Sequence, residues 1–265
     1  MMKKLSGKTA FITGAAMGLG AGIAQVYAKY GANLVLVDVS PQVEAVAKEL
    51  SDKYGVEVIT EKVDVTDIAS CKAAAKKGAE KFGGYDVLCA IAGVCKLNDF
   101  LEMSDADRDF HIDVNIKGVW NTTKAVLPYL LENKGGSIVV MSSVTGDIVA
   151  DPGEVAYALT KSALIGFTKA LAVEYASRNI RVNAMQLGYA RTPMAERIAM
   201  QSNPNDPESV LTEMAKAIPM RRLGLPTEVG ELAAFLGSEE SSYITGSQFV
   251  IDGGSTLPES VSVGV

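Results

Sequence analysis

Tyr157 and Lys161 stand four residues apart and are the pair in this chain best suited to proton transfer. The stretch from about 156 to 176 has helical spacing, so the phenol and the ammonium lie on one helix face. A free phenol has a pKa of about 10, and a neighbouring positive charge favours its ionised form. Such a pair also arises by chance. It gains meaning from Ser142 and Ser143, which end the preceding apolar run, because open parallel sheets place ligands at strand carboxyl ends.

A glycine-rich segment, Thr13 to Gly20, directly follows the first apolar run and opens a helical stretch. Glycines there allow a tight turn and let a pyrophosphate approach the helix N-terminus, whose free N–H groups favour negative charge. The alternative is a turn of the same shape that binds nothing. The strand–turn–helix context favours dinucleotide binding.

Asp38 ends the second apolar run, 18 residues after Gly20. A carboxylate there can accept both hydroxyls of an adenosine ribose and repels a 2′-phosphate. No Arg or Lys lies between 14 and 20 to accommodate such a phosphate. The predicted cofactor is therefore NAD rather than NADP. The alternative role of Asp38 is to cap a helix ahead of Ser40 and Pro41.

Several other polar positions have both a binding and a structural interpretation. Asp64 and Val65 follow the third apolar run, where they either line an adenine site or form a turn. Asn115, after the fourth run, is either functional or an ordinary helix amide. His111 is the one histidine of the chain, and it has no partner cluster of the kind that metals require. We predict a structural hydrogen-bonding role for His111 and no metal site.

Short apolar runs alternate with longer helical patterns along the chain. The predicted strands cover 9–13, 33–38, 56–65, 85–92, 137–142, 180–186 and 248–252. Continuous apolar strands are typical of a sheet covered on both faces. The repeated strand–helix–strand order implies parallel pairing through right-handed crossovers. The predicted fold class is α/β: a doubly wound sheet of about seven parallel strands with helices on both faces, in one domain spanning 1–265.

The stretch 190–226 interrupts this regularity because it is rich in Met, Pro, Asn and Arg and has weak periodicity. It is either a mobile lid over the substrate or a region whose helices and strands the pattern does not reveal. Met194, Met200, Met214 and Met220 are more suited to packing than to chemistry, and in a lid they provide an adaptable apolar wall.

Composition narrows the function classes. Lys plus Arg number 25 and Asp plus Glu 31, a net charge of −6 that argues against nucleic acid or an anionic membrane surface as the main partner. The three cysteines have neither disulfide nor zinc spacing. The apolar run after the charged start is too short for a signal peptide, and no uncharged stretch reaches membrane-spanning length. The expectation is a soluble, cytoplasmic protein.

Taken together, the glycine turn, Asp38, Asp64, Asn115 and Ser143, with the Tyr157-x-x-x-Lys161 pair, resemble the short-chain dehydrogenase/reductase family over about 7–254. The strings 109–113, 142–147 and 257–263 further resemble one bacterial oxidoreductase of that family. The resemblance implies a Rossmann-type fold and an NAD-dependent oxidoreductase acting on an alcohol or carbonyl, with a small-molecule substrate.

The resemblance also implies roles for individual residues. Tyr157 is the general acid/base, and Ser143 binds the substrate oxygen. Lys161 holds the nicotinamide ribose and lowers the phenol pKa, while Asn115 supports a proton-relay water nearby. Thr192 reaches the nicotinamide carboxamide. The implied cofactor-binding residues are Gly14, Gly18, Leu19, Gly20, Asp38, Asp64, Val65, Tyr157, Lys161 and Thr192.

Two departures from the family pattern bear on cofactor affinity. Residues 90–93 read Ala-Ile-Ala-Gly instead of Asn-Asn-Ala-Gly, and Leu187-Gly188 replaces Pro-Gly. They leave open the alternative of a nicotinamide-binding regulator with little turnover. An enzyme that uses nucleotides for phosphoryl transfer is disfavoured because no Gly-Lys-Ser/Thr loop is present.

A homodimer or homotetramer is also predicted. The helices from about 117–131 and 156–176 carry apolar residues on more than one face, which calls for a second partner. These residues are Leu127, Leu130, Leu164, Phe167, Leu171 and Val173. The alternative is that a lid buries them. The tail 255–265, uncharged apart from Glu259, is expected to pack on a neighbouring subunit.

Overall fold

The computed structural model describes residues 4–258, in which strands and helices alternate. The strands are β1 Thr9–Thr13, β2 Asn33–Asp38, β3 Val58–Lys62, β4 Val87–Ala90, β5 Gly136–Ser143, β6 Ile180–Leu187 and β7 Gln248–Ile251. The helices are α1 Gly18–Lys29, α2 Val43–Tyr54, α3 Ile68–Phe82, α4 Asp105–His111, α5 Gly118–Glu132, α6 Val155–Tyr175, α7 Pro193–Ser202, α8 Pro207–Ala217 and α9 Pro226–Gly237. A π-helical segment, Ile112–Lys117, joins α4 to α5.

The strands form one sheet in the order β3-β2-β1-β4-β5-β6-β7, and every pairing is parallel. The predicted fold class is confirmed. Alternate residues of β1 show why the strands read as continuous apolar runs. Ile12 packs into the core on one face of the sheet with Ile23, and Phe11 packs into the core on the other face with Tyr85. Burial on both faces removes the in–out alternation of a half-exposed strand.

The order of the strands reverses between β1 and β4. β1 leads through a crossover to β2 on one side, whereas β4 and β5 continue on the other. Open α/β sheets bind ligands at such a switch point, outside the carboxyl ends of the strands. The glycine turn and Asp64 follow such ends, and Asp38 and Ser143 are the last residues of β2 and β5.

Helix boundaries agree with the local signals wherever a cap was recognisable. The Asp67 side chain accepts from the Ala69 N–H at the start of α3. The stretch 190–226 contains α7 and α8, each opened by proline and capped by Thr192 and Asp206 respectively. It is therefore helical, and its weak periodicity reflects short helices. α9 was not predicted, although Pro226 followed by Glu228 is a recognisable start.

The residues with a predicted structural role behave as expected. His111 is buried, its Nε2 accepts from the Lys96 N–H at 3.0 Å, and its Nδ1 lies 2.7 Å from the Asp107 carbonyl oxygen. Cys71 and Cys89 are buried free thiols, and Cys95 is a partly buried one. Within residues 4–258 no helix is long and apolar enough to span a bilayer.

Candidate active site

A cleft of about 830 Å³ runs along the carboxyl ends of the strands. This volume lies within the range usual for small-molecule sites. We divide it into a cofactor half and a catalytic half. The cofactor half is lined by Gly14, Gly18, Gly20, Asp38, Asp64 and Val65, and the catalytic half by Ser143, Tyr157 and Lys161. Leu19 and Thr192 also line the cleft. Every predicted site residue lines it except Asn115, which is fully buried behind the wall.

The glycine turn needs its glycines for two different reasons. Gly14 and Gly18 have φ of +65° and +55°, in the left-handed region that disfavours side chains. A Cβ on Gly20 would stand 2.0 Å from the Gly14 carbonyl oxygen, so the helix could not approach the strand. Thr13 Oγ1 accepts from the N–H groups of Ile91 and Ala92 at 2.9 and 3.0 Å. These bonds attach the end of β4 to the turn.

Asp38 is tied to the turn by hydrogen bonds. Its Oδ2 accepts from the Ala16 N–H at 3.0 Å, and its Oδ1 accepts from the Ser40 N–H at 2.9 Å. The capping alternative is wrong, because α2 begins at Val43 with Gln42 as its capping residue. A carboxylate has about four acceptor positions, so two remain for ligand hydroxyls.

Three further residues that line the cleft also form hydrogen bonds within the protein: Asp64, Val65 and Thr192. Asp64 Oδ1 accepts from the backbone N–H and the hydroxyl of Thr66 at 2.9 and 2.8 Å. The Val65 carbonyl accepts from Asn121 Nδ2 at 3.0 Å. Thr192 Oγ1 accepts from the Ala195 N–H at 3.2 Å. The turn interpretation of Asp64 is therefore compatible with its place at the cleft.

Ser143 closes the end of β5 with its hydroxyl at the cleft. Its Oγ accepts from the Thr145 N–H at 3.1 Å and donates to the Leu187 carbonyl at 3.4 Å. Tyr157 is partly exposed to the cleft, and Ser143 lies within hydrogen-bonding reach of its phenol. Burial raises the pKa of Tyr157 well above its ordinary value, and the contact with Ser143 opposes that shift.

Lys161 is almost wholly buried, and its Nζ donates to the Met141 carbonyl at 2.9 Å. The Nζ stands 5.5 Å from the centre of the Tyr157 ring. Burial lowers the pKa of Lys161 to about 8, because an apolar surrounding disfavours the ammonium. In the protein alone, burial thus outweighs the expected lowering of the phenol pKa by Lys161.

Asn115 is buried beneath the catalytic half and holds two of its segments together by hydrogen bonds. Its Oδ1 accepts from the Val94 N–H at 2.8 Å, and its Nδ2 donates to the Val94 carbonyl and to Thr160 Oγ1, both at 3.0 Å. Both amide protons are used, so a relay water has only the second lone pair of Oδ1 to bind on this side chain. Gly93 separates Asn115 from Lys161: a Cβ there would stand 3.3 Å from each side chain. The π-helical turn is typical of functional positions.

The cleft is fully formed although the chain departs from the family pattern at residues 90–91 and at Leu187. The Ile91 N–H is held by Thr13, without any amide side chain at 90 or 91. Leu187 lies in β6 and pairs with Ser143 and Ile251 on either side. The Leu187 carbonyl accepts from the Val144 N–H at 3.1 Å.

Sequence reasoning missed part of the catalytic half. Glu154, Tyr189, Asp151 and Cys95 also line the cleft. The Tyr189 hydroxyl donates to Asp151 Oδ2 at 3.0 Å. Only Glu154 left a usable signal, since it stands three residues before Tyr157 and therefore on the same side of the helix start. The others arrive from loops that the sequence pattern does not place.

The residues present fit a nicotinamide dinucleotide. The left-handed turn at Gly14 and Gly18 lets backbone approach a ligand closely, and Asp38 keeps acceptor positions for a ribose. Lys161 has ammonium protons beyond the one given to Met141, which suit ribose hydroxyls. In residues 4–258 there is no cluster of His, Cys, Asp and Glu that could hold a metal ion.

Known proteins resemble this chain over nearly its whole length. A family model described as Enoyl-(Acyl carrier protein) reductase matches residues 14–256. The chain is 66% identical to Oxidoreductase UcpA of Escherichia coli (strain K12) over 264 residues, covering 100% of both chains. UcpA is the bacterial oxidoreductase that the strings 109–113, 142–147 and 257–263 resemble.

Two solved structures match the fold and carry different cofactors. Carveol dehydrogenase from Mycobacterium avium in complex with NAD has a TM-score of 0.91 at 31% identity, covering 96% of this chain and 99% of that one. L-sorbose reductase from Gluconobacter frateurii, complexed with NADPH and L-sorbose, has a TM-score of 0.91 at 31% identity, covering 97% and 100%.

Proposed function

Since the chain belongs to the short-chain dehydrogenase/reductase family, we propose that it is an NAD-dependent oxidoreductase that interconverts an alcohol and a carbonyl compound, with Tyr157 as general acid/base. The observation that supports this most is the convergence of Ser143, Tyr157 and Lys161 in one half of the cleft. A protein that only binds a nucleotide does not need this set of residues. The substrate is a small molecule, and the expected location is the cytoplasm.

The chain's own residues account for the proton transfer. When bound, the nicotinamide exchanges the hydride. Ser143 and Tyr157 donate hydrogen bonds to the substrate oxygen on which charge develops during reduction. Tyr157 gives its proton to that oxygen, or removes it in the oxidation direction. Its raised pKa favours the protonated acid in the protein alone.

Lys161 and Asn115 have supporting roles. Lys161 donates to the ribose and keeps a positive charge near the phenol. Asn115 is a positioning residue, because it holds the Val94 segment against α6 through Thr160. The proposed role of Thr192, the N-terminal capping residue of α7, is to contact the nicotinamide carboxamide, and the proposed lid at 190–226 contains α7 and α8.

Preference for NAD over NADP rests on Asp38. Its carboxylate is held at the end of β2 by Ala16 and Ser40, where a 2′-phosphate would meet a negative charge. The two structural relatives named above use different cofactors, so this preference is proposed from the residues of this chain.

We propose assembly as a homodimer or homotetramer, with interface residues that differ in part from those that the sequence predicts. Leu127, Leu130 and Leu164 are buried in the chain's own core beside the sheet, so neither a partner nor a lid covers them. The large apolar residues that α5 and α6 expose are Trp120, Val155, Leu159 and Val173, at 57%, 48%, 56% and 83% exposure. The tail residues 259–265 lie outside the described residues. Light scattering at micromolar concentration tests the assembly: a mass near the 27.9 kDa of one chain would refute it.

The test of the activity is absorbance at the reduced-nicotinamide band with a panel of alcohols, aldehydes and ketones. Turnover that requires Tyr157 is expected, with NAD(H) bound more tightly than NADP(H) by calorimetry at one salt concentration. Tight NAD binding without turnover across the panel would favour the regulator alternative. Equal or tighter NADP binding would overturn the cofactor preference.

A further inference from the structure

Glu154 carries an unsatisfied carboxyl group at the wall of the catalytic half. Its Oε2 is inaccessible to water and has no hydrogen-bond partner within residues 4–258. A buried acceptor left without a donor destabilises the folded state, so such groups are rare in folded proteins. The terminal torsion of a glutamate rotates freely enough to turn an oxygen towards a donor brought into the cleft.

Glu154 lies close in sequence and in space to Tyr157, the proposed general acid/base. It immediately precedes α6, and its carbonyl accepts from the Ala158 N–H at 2.8 Å in the first turn. Residues three apart on a helix have Cβ atoms about 5–6 Å apart, so the Glu154 side chain starts close to that of Tyr157. Glu154 also contributes to the raised pKa of Tyr157, so its carboxyl group lies near the phenol. A molecule with two polar atoms on neighbouring or nearly neighbouring carbons is the smallest ligand that we expect to contact both.

The surroundings of Glu154 define the charge that a ligand can carry there. Burial raises the pKa of Glu154, which favours the neutral carboxylic acid, and a contact with Thr145 opposes the shift. Asp151 also lines this part of the cleft, where it accepts from Tyr189. Two carboxyl groups disfavour an anionic ligand, whereas a hydroxyl can both donate to and accept from a carboxyl group.

We propose that Glu154 determines substrate specificity by hydrogen bonding a hydroxyl one or two carbons from the reacting carbon, so that the substrates are hydroxylated ketones and the corresponding diols. This inference rests on the proposed function. Ser143 and Tyr157 hold the reacting oxygen, and Glu154 holds the second one. An unsubstituted ketone leaves Glu154 unsatisfied and is therefore disfavoured.

The experiment compares 3-hydroxybutan-2-one and 4-hydroxybutan-2-one with butan-2-one, which lacks only the hydroxyl. We expect kcat/KM to be roughly 10- to 100-fold higher for at least one hydroxyketone, as the loss of one buried hydrogen bond implies. Glu154→Leu should reduce that ratio to about one, and Glu154→Gln should keep part of it. The exposed Glu49 in α2 supplies the control, since Glu49→Leu should leave the ratio unchanged.

A binding measurement keeps the inference testable if turnover is absent. In the presence of NAD, saturation-transfer NMR should show stronger transfer to the hydroxyketone than to butan-2-one, and Glu154→Leu should abolish the difference. Absence of turnover with this preference retained would contradict the proposed function only. An equal response to the three ketones, a ratio unchanged in Glu154→Leu, or a stronger preference for pyruvate or aminoacetone would overturn the role of Glu154.

Discussion

The two halves of the cleft are built in different ways. In the cofactor half, the turn at Gly14–Gly20 and Asp38 interact through backbone groups close to the first two strands, as the bond from Ala16 to Asp38 shows. In the catalytic half, side chains from β5, α6 and the π-helical segment meet across long stretches of sequence, such as Asn115 and Thr160. Variants in the cofactor half should therefore change binding and stability. Variants in the catalytic half should change the chemical step.

The largest expected effect separates the halves directly. Tyr157→Phe removes only the hydroxyl that exchanges the proton, so kcat should fall by roughly 10²- to 10⁴-fold. The dissociation constant for NAD should change little, because the ring still fills its place. Stopped-flow absorbance and calorimetry measure the two quantities. Turnover close to that of the unmodified protein on a verified substrate would show that Tyr157 is not the acid/base.

The second prediction concerns pH and the burial of Lys161. Its pKa is about 8 in the folded chain and 10.5 ordinarily, so the unfolded state binds more protons between these values. Stability should therefore rise with pH across this window, by about 3 kcal/mol at about 1.4 kcal/mol per pKa unit. Lys161→Met should lack this rise, because it has no proton to release.

Urea unfolding at pH 8 and pH 10.5 measures this difference between the two proteins. Both proteins also carry Tyr157→Phe, because the loss of the Lys161 charge 5.5 Å from the ring would change the titration of the phenol. Lys169→Met, at an exposed position of α6, is the matched control and should keep the rise. The same pH dependence of the unfolding free energy in Lys161→Met would show that burial does not lower the pKa of Lys161 in the folded protein.

The third prediction tests the close approach in the cofactor half. Gly20→Ala would place a methyl 2.0 Å from the Gly14 carbonyl oxygen, which forces backbone to move. The free energy of unfolding should fall by about 1–3 kcal/mol, and NAD should bind more weakly. Gly224→Ala is the control, because its methyl would meet its nearest atom at an ordinary 3.6 Å. Equal effects of the two substitutions would remove the argument for a strained turn.

The smallest effect concerns cofactor choice. Asp38→Asn keeps an oxygen for Ala16 or Ser40 but removes the negative charge, so the preference for NAD over NADP should fall roughly tenfold. Asp64→Asn removes a charge from the same half and should change the preference less, since Asp64 Oδ1 is bonded to Thr66. Calorimetric titration of both dinucleotides at one salt concentration checks this. An unchanged preference in Asp38→Asn would place the selectivity elsewhere.

Much of the fold and part of the site could be predicted from sequence. The strand–turn–helix unit at Thr13–Gly20 and the cap at Asp67 depend on residues near in sequence, so their patterns are visible directly. α9 was missed and the helices α7 and α8 within 190–226 were left undecided, because short helices with mixed faces have little periodicity. The roles of Tyr189 and Asp151 could not be predicted, because both lie outside the helices and strands.

By itself, the sequence determined the parallel sheet and the glycine turn, because continuous apolar runs and backbone conformational needs are local properties. It also determined that a phenol and an amine share one helix face. Only the tertiary structure decided their chemistry: burial raises the pKa of Tyr157 and lowers that of Lys161, since elements distant in sequence pack around both. The tertiary structure likewise left Glu154 with an oxygen that accepts no bond within residues 4–258. The residues that pack around a carboxyl group decide whether it is solvated, hydrogen-bonded or left without a donor. Those residues are distant in sequence, so the sequence pattern does not reveal them.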